Sequence, residues 1–151
     1  MRDSTILIVD DEESLRLTFE MFLRREGYEQ VKVAGTLARA IELINSHSFD
    51  LIISDIVLEG DKGTDLLRHI RETGITCPVV MITGFPNLDS ASEAVRYGAF
   101  DYLSKPVNKE KLLKTVAQAL KYRELEREKQ ELIRKNERYQ YYLEAIISSV
   151  R

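Results

Sequence analysis

The sequence predicts an α/β fold: a doubly wound, five-stranded parallel sheet with helices on both faces and an extended C-terminal helix. Three observations predict it. Strand-like and helix-like stretches alternate five times over about the first 121 residues. Two strand-like runs, Thr5-Ile6-Leu7-Ile8-Val9 and Leu51-Ile52-Ile53, are apolar without alternation, as in strands covered on both faces. Beyond Pro106 there is neither glycine nor proline, so nothing interrupts the last helix. Right-handed crossovers then leave few topologies.

In chain order, Thr5–Val9 is the first strand, ended by Asp10 and Asp11. Leu15, Phe19, Phe22 and Leu23 recur at helical spacing between Glu12 and Glu26, and Gly27 is placed to stop that helix. Gln30 to Ala34 is a weaker strand, and Thr36 caps a helix carrying Leu37, Ala40, Ile41 and Ile44. The third strand runs into Asp55, with Gly60 and Gly63 in the turn that follows. A helix from about Gly63 to Glu72 carries Leu66, Leu67 and Ile70. Cys77 to Ile82 is the fourth strand, ending at Thr83 and Gly84, and a helix from about Leu88 to Tyr97 ends at Gly98. Asp101 to Ser104 is a short fifth strand, ended by Lys105-Pro106, and Asn108 caps the final helix. The sequence has no internal repeat and no low-complexity segment.

The 151 residues allow one full domain and an appendage, and 31% charged with 44% hydrophobic residues is a globular composition. Cys77 is the single cysteine, which excludes an internal disulfide and fits a reducing compartment; it reads as core at a strand end rather than as a reactive thiol. No apolar run approaches the roughly 20 residues that span a bilayer. Met1 to Ser4 leads straight into a strand, so no signal peptide is expected. The net charge of −3 conceals a split. Residues 108–151 hold eleven Lys or Arg against seven Glu, while the body holds eleven against eighteen acids. That distribution lacks the concentrated basic face of a nucleic-acid reader and suits a cation site. His47 and His69 have no partner spacing and are expected at the surface.

Asp10 and Asp11, Asp55, Thr83 and Lys105 each stand at the end of a strand, where open parallel sheets bind ligands. Alone, Asp55 reads equally well as the cap of the next helix. Together, three carboxylates repel one another, and a hard divalent cation, usually Mg²⁺, relieves this. No Cys or His joins them, which argues against zinc. An ammonium and a hydroxyl beside a carboxylate and a metal suit phosphoryl chemistry, with the carboxylate as nucleophile.

Val9-Asp10-Asp11-Glu12, Asp55 with Gly63 eight residues on, Met81-Ile82-Thr83-Gly84 and Tyr102-Leu103-Ser104-Lys105-Pro106 resemble the motif set of the receiver domain of two-component response regulators. The resemblance covers residues 4 to about 121 and implies a flavodoxin-like sheet in the order 2-1-3-4-5. It implies that Asp55 takes a phosphoryl group from a phosphohistidine on a sensor histidine kinase, in the cytoplasm. It implies Mg²⁺ held by Asp11, Asp55 and the Val57 backbone carbonyl, with Asp10 acting largely through water. Lys105 would contact the phosphoryl oxygens, Thr83 would turn inward towards them, and Tyr102 would follow as a switch; a plain core role is the alternative for Tyr102. A cis Lys105-Pro106 bond is also implied. Glu59 stands where the family often has proline, so an altered loop is expected. Val57 and Phe85 occupy positions that tune phosphoryl loss in the family. Two bulky apolar groups there suggest shielding and slow self-dephosphorylation, with simple packing of Phe85 on its loop as the alternative.

The receiver is expected over residues 1–121 and a helical coiled-coil linker over 122–151. A helix over all 44 residues of 108–151 would run about 66 Å. Leu125, Leu132, Tyr139 and Ile146 recur every seven residues as d positions, with Lys129, Asn136, Leu143 and Val150 as a positions. Lys121 and Glu126 fall at g and e and pair across a parallel homodimer. The alternative is a solvated helix whose stripe packs on a missing domain. The apolar end, Tyr141 to Val150, suggests a chain cut short before an output module. That stretch is faintly like the opening of a PAS-type sensor domain and equally suits an AAA+ transcription activator. The expected function is a phosphorylation-dependent receiver that is not an enzyme in the turnover sense, has no membrane segment and makes no direct nucleic-acid contact. Two rivals stand beside it. A phosphatase using Asp55 would want a second aspartate where Val57 stands, and a never-phosphorylated dimerisation module would not need the full acidic, threonine and lysine set.

Overall fold

The computed structural model describes residues 2–58 and 60–150. The expectation attached to Glu59 lies outside the described residues. The chain order is β1 (Thr5–Val9), α1 (Glu13–Arg25), β2 (Gln30–Ala34), α2 (Leu37–Ser46), β3 (Leu51–Asp55), β4 (Val57–Leu58), β5 (Asp61–Lys62), α3 (Gly63–Glu72), β6 (Val79–Thr83), α4 (Leu88–Arg96), β7 (Asp101–Ser104) and α5 (Lys109–Ser149). The main sheet is parallel, in the order β2-β1-β3-β6-β7. Counting only its five strands, this is the expected 2-1-3-4-5. A two-residue antiparallel ribbon, β4 with β5, follows β3 and was not foreseen.

Side-chain alternation along each strand divides the core between the two faces of the sheet. Ile6, Ile8, Leu51, Ile53, Val80 and Ile82 meet Phe19 and Leu23 of α1 and Leu112, Val116 and Leu120 of α5. Leu7, Val9, Ile52, Val79 and Met81 meet Ala40, Leu43 and Ile44 of α2, Leu66, Leu67 and Ile70 of α3, and Ala94 of α4. Each fully buried Leu or Ile contributes about 1.5–3 kcal/mol, so both layers hold the sheet edges firmly.

Local chemistry sets the ends of the elements. Thr36 accepts the Arg39 amide, Asn87 the Ser90 amide and Asn108 the Lys111 amide, as N-caps do. Gly27 follows α1 at φ +107°, a conformation that costs a glycine least. β6 starts two residues later than expected. Pro78 has no N–H for the ladder, although its carbonyl still accepts the Ile52 amide at 3.1 Å. Cys77 is fully buried just before it. His47 is exposed, but His69, expected at the surface, is half-buried, and its Nε2 is enclosed without a partner among the described residues.

Arg71, in the last turn of α3, donates to the carbonyls of Ile75, Cys77, Tyr97 and Gly98, each at 3.0 Å. It joins the loop before β6 to the end of α4. α5 runs 41 residues, about 62 Å. Its buried side chains are Leu112, Thr115, Val116, Ala119 and Leu120. Beyond them Arg127 pairs with Asp50 at 2.8 Å and Arg123 reaches it at 3.5 Å, while the other Asp50 oxygen accepts the Thr5 amide. Leu125, Leu132, Tyr139, Leu143, Ile146 and Val150 are exposed. No helix among the described residues is long and apolar enough to cross a membrane.

Candidate functional site

The fold places the ends of β1, β3, β6 and β7 along one edge of the sheet. Because β1 and β3 are neighbours, Asp10 and Asp11 meet Asp55 there. One carboxylate oxygen from each lies within 4.8 Å of the others. Asp10 is 2% exposed and Asp55 5%, while Asp11 is partly open to solvent. Lys105, just past β7, places its Nζ 2.7 Å from Asp55 Oδ2 and 3.3 Å from Asp10 Oδ2. The remaining oxygens are also engaged: Asp10 Oδ1 accepts the Glu12 amide at 2.9 Å, and Asp55 Oδ1 the Val57 amide at 3.0 Å.

Asp55 caps no helix, since α3 begins at Gly63 with Lys62 at its N-cap. Burial raises the Asp10 carboxyl above its ordinary 3.8; the Asp55 charge adds to the rise, and the Glu12 amide and Lys105 oppose it without cancelling it. Burial works against the Lys105 ammonium. The hydrogen bond to Asp55 and the charges of Asp10 and Asp55 outweigh it, so its pKa stands above 10.5. The donor set is three carboxylates without thiolate or imidazole, which fits a hard divalent cation such as Mg²⁺.

Thr83, the last residue of β6, is fully buried, and its hydroxyl accepts the Phe85 amide at 3.0 Å. Tyr102, in β7, is half-buried. Its phenol oxygen lies 2.8 Å from Ser90 Oγ and accepts the Asn87 amide at 3.4 Å, so it is turned to the start of α4 rather than to the carboxylates. Val57 and Phe85 are 54% and 79% exposed, so Phe85 is not packed on its loop. The Lys105-Pro106 bond is cis. Sequence reasoning missed two residues beside the site. Ser90 holds Tyr102, and Arg16 Nη1 donates to the Asp10 carbonyl at 2.7 Å. The six-residue step from Asp10 to Arg16, one turn into the next helix, was the available clue.

The model of the response regulator receiver domain matches residues 6–117. The response regulator protein PilR of Pseudomonas aeruginosa is 39% identical over 122 residues, which make up 81% of this chain and 27% of PilR. The alginate biosynthesis transcriptional regulatory protein AlgB of Pseudomonas putida is 38% identical over 120 residues, 80% of this chain and 27% of AlgB. The chain thus spans about a quarter of the length of these relatives. Among solved structures, a CheY-like response regulator receiver domain from Methanospirillum hungatei JF-1 superposes with a TM-score of 0.79 at 32% identity, covering 82% of this chain and 98% of that one. NtrX from Brucella abortus gives 0.79 at 35% identity, covering 86% of this chain and 29% of NtrX. Motif, sheet order and these matches agree, and the chain belongs to the response regulator receiver domain family.

Proposed function

We propose that Asp55 accepts a phosphoryl group from a phosphohistidine on a sensor histidine kinase, in a cytoplasmic, Mg²⁺-dependent reaction. The observation that carries this is Lys105 bridging Asp55 and Asp10 inside a cluster of three carboxylates. Asp10, Asp11, Asp55 and the Val57 carbonyl are the groups that would hold the metal. Bound there, it would neutralise the oxygens on which negative charge gathers. An Asp55 oxygen attacks phosphorus as the P–N bond breaks, and the bonding electron pair leaves with the imidazole, which keeps or gains its proton from solvent. Lys105 then exchanges its carboxylate bond for the new phosphoryl oxygens. Thr83 gives up the Phe85 amide to donate to the phosphoryl group, and Tyr102 leaves Ser90 for the space vacated.

The exposed apolar seam of α5 supports a parallel homodimer over residues 122–151, which carries the change to an output module. The name of AlgB, a transcriptional regulatory protein, favours transcription control as that output. The test is mass spectrometry after incubation with Mg²⁺ and a small acyl phosphate donor. One added phosphate, absent in Asp55→Asn, is expected. Multiple-turnover hydrolysis would indicate a phosphatase, and no gain a structural module. The same trace gives the lifetime: loss within seconds counts against slow self-dephosphorylation shielded by Val57 and Phe85.

A further inference from the structure

The two main-chain groups of Asp10 are held from different sides. Its amide donates to the Ala34 carbonyl at the end of β2, at 3.1 Å. Its carbonyl accepts Arg16 Nη1, from α1, at 2.7 Å. The guanidinium rests against Gly35, where an added Cβ would stand 2.9 Å from Nη1 and 3.3 Å from Cζ. Gly35 is not among the glycines at positive φ, so its backbone would accept alanine. What a side chain there would meet is the arginine. The Asp10 carboxylate in turn accepts the Glu12 amide, so the turn carrying both Asp10 and Asp11 is braced at each end.

We propose that Arg16 is a positioning residue for the acidic pair and that Gly35 is the recess that admits its guanidinium. The inference rests on the Mg²⁺ reading above. Arg16 acts through the Asp10 main chain, and its charge and its geometry have opposite consequences. As a positive charge on the main chain of the acidic pair, it disfavours a divalent cation, and its removal would tighten binding. As a brace, it fixes two of the three carboxylates, and its removal weakens binding.

Isothermal titration of Mg²⁺ into the 151-residue chain, compared with Arg16→Ala, Arg16→Lys, Gly35→Ala and the Arg16→Ala/Gly35→Ala double variant, decides between them. Arg16→Ala should weaken Mg²⁺ binding about threefold to tenfold, the worth of one hydrogen bond. Arg16→Lys should recover much of it. Gly35→Ala should weaken binding alone yet add nothing once Arg16 is alanine. Tighter or unchanged binding in Arg16→Ala, or a Gly35→Ala penalty that persists in the double variant, overturns the proposal. Should Arg16→Ala fail to fold, Gly35→Ala and Arg16→Lys carry the test. Hydrogen exchange of the Glu12 amide in metal-free protein supplies a second readout, expected to quicken in Arg16→Ala and Gly35→Ala. If the unaltered chain binds no Mg²⁺, the metal reading fails. The exchange rate then judges Arg16 by itself, and an unchanged rate rejects it.

Discussion

Replacing Lys105 with methionine keeps most of the aliphatic stem and removes the charge between Asp55 and Asp10. At 2.7 and 3.3 Å, and an effective dielectric of about 20, the two attractions are worth about 6 and 5 kcal/mol before desolvation is subtracted. Removing one partner of a buried pair costs about 3–5 kcal/mol, because the abandoned charge stays buried. The pocket opens to solvent on the Asp11 side, which places this case at the lower end, about 3 kcal/mol. For a domain of this size that is roughly 6–12 °C in melting temperature. The pKa of Lys105 is raised, so its stabilising effect is complete below pH 10.5 and is lost only as pH climbs through the higher folded value. Thermal melts at neutral pH in a chelator should therefore show the full loss. Adding Mg²⁺ should recover more stability in Lys105→Met than in the unaltered chain, since the cation no longer competes with an ammonium. An unchanged or higher melting temperature without metal would refute the reasoning.

Three further outcomes follow from the same geometry. Asp10→Asn should raise the melting temperature of metal-free protein at neutral pH, because burial disfavours the Asp10 carboxylate. The folded state prefers its protonated form, so the penalty is full above the raised pKa and is relieved as pH falls towards 3.8. The gap between the two proteins should shrink with it, and a gap that widens on acidification contradicts the assignment. Ser90→Ala removes the 2.8 Å partner of the Tyr102 hydroxyl, worth about 1 kcal/mol, and should shift the ring inward about fivefold in population. Unaltered ring resonances for Tyr102 by NMR would rule that out. Leu132→Asn, at a position 61% exposed, should weaken self-association in sedimentation without lowering the melting temperature of the receiver; undiminished association points to another dimer surface.

The parallel sheet was legible because β1 and β3 carry unbroken apolar runs and helical stretches alternate with strands, and the site because strands end at Asp10, Asp55, Thr83 and Lys105. Such signals are local in sequence and reflect burial on two faces. What escaped is held by bonds from side chain to backbone. Arg71 gathers four carbonyls from two loops, and nothing in the spacing of an arginine announces carbonyl partners. The β4–β5 ribbon is too short for any periodicity. Tyr102 could be placed near Lys105 by counting, but its outward orientation depends on Ser90, twelve residues away across a loop. His69 read as surface because helical spacing alone does not report the neighbour that encloses one ring nitrogen.

Asp50 and Asp55 bracket β3, a strand of five residues buried along its whole length. One end lies in the carboxylate cluster; the other moors the long helix through Arg127, which is 59% exposed. Dissolved ions screen an outward pair far more than an enclosed one. Raising ionic strength should thus slacken the mooring while leaving the acidic nest gripped by its lysine, so that salt acts on the two ends of one strand separately.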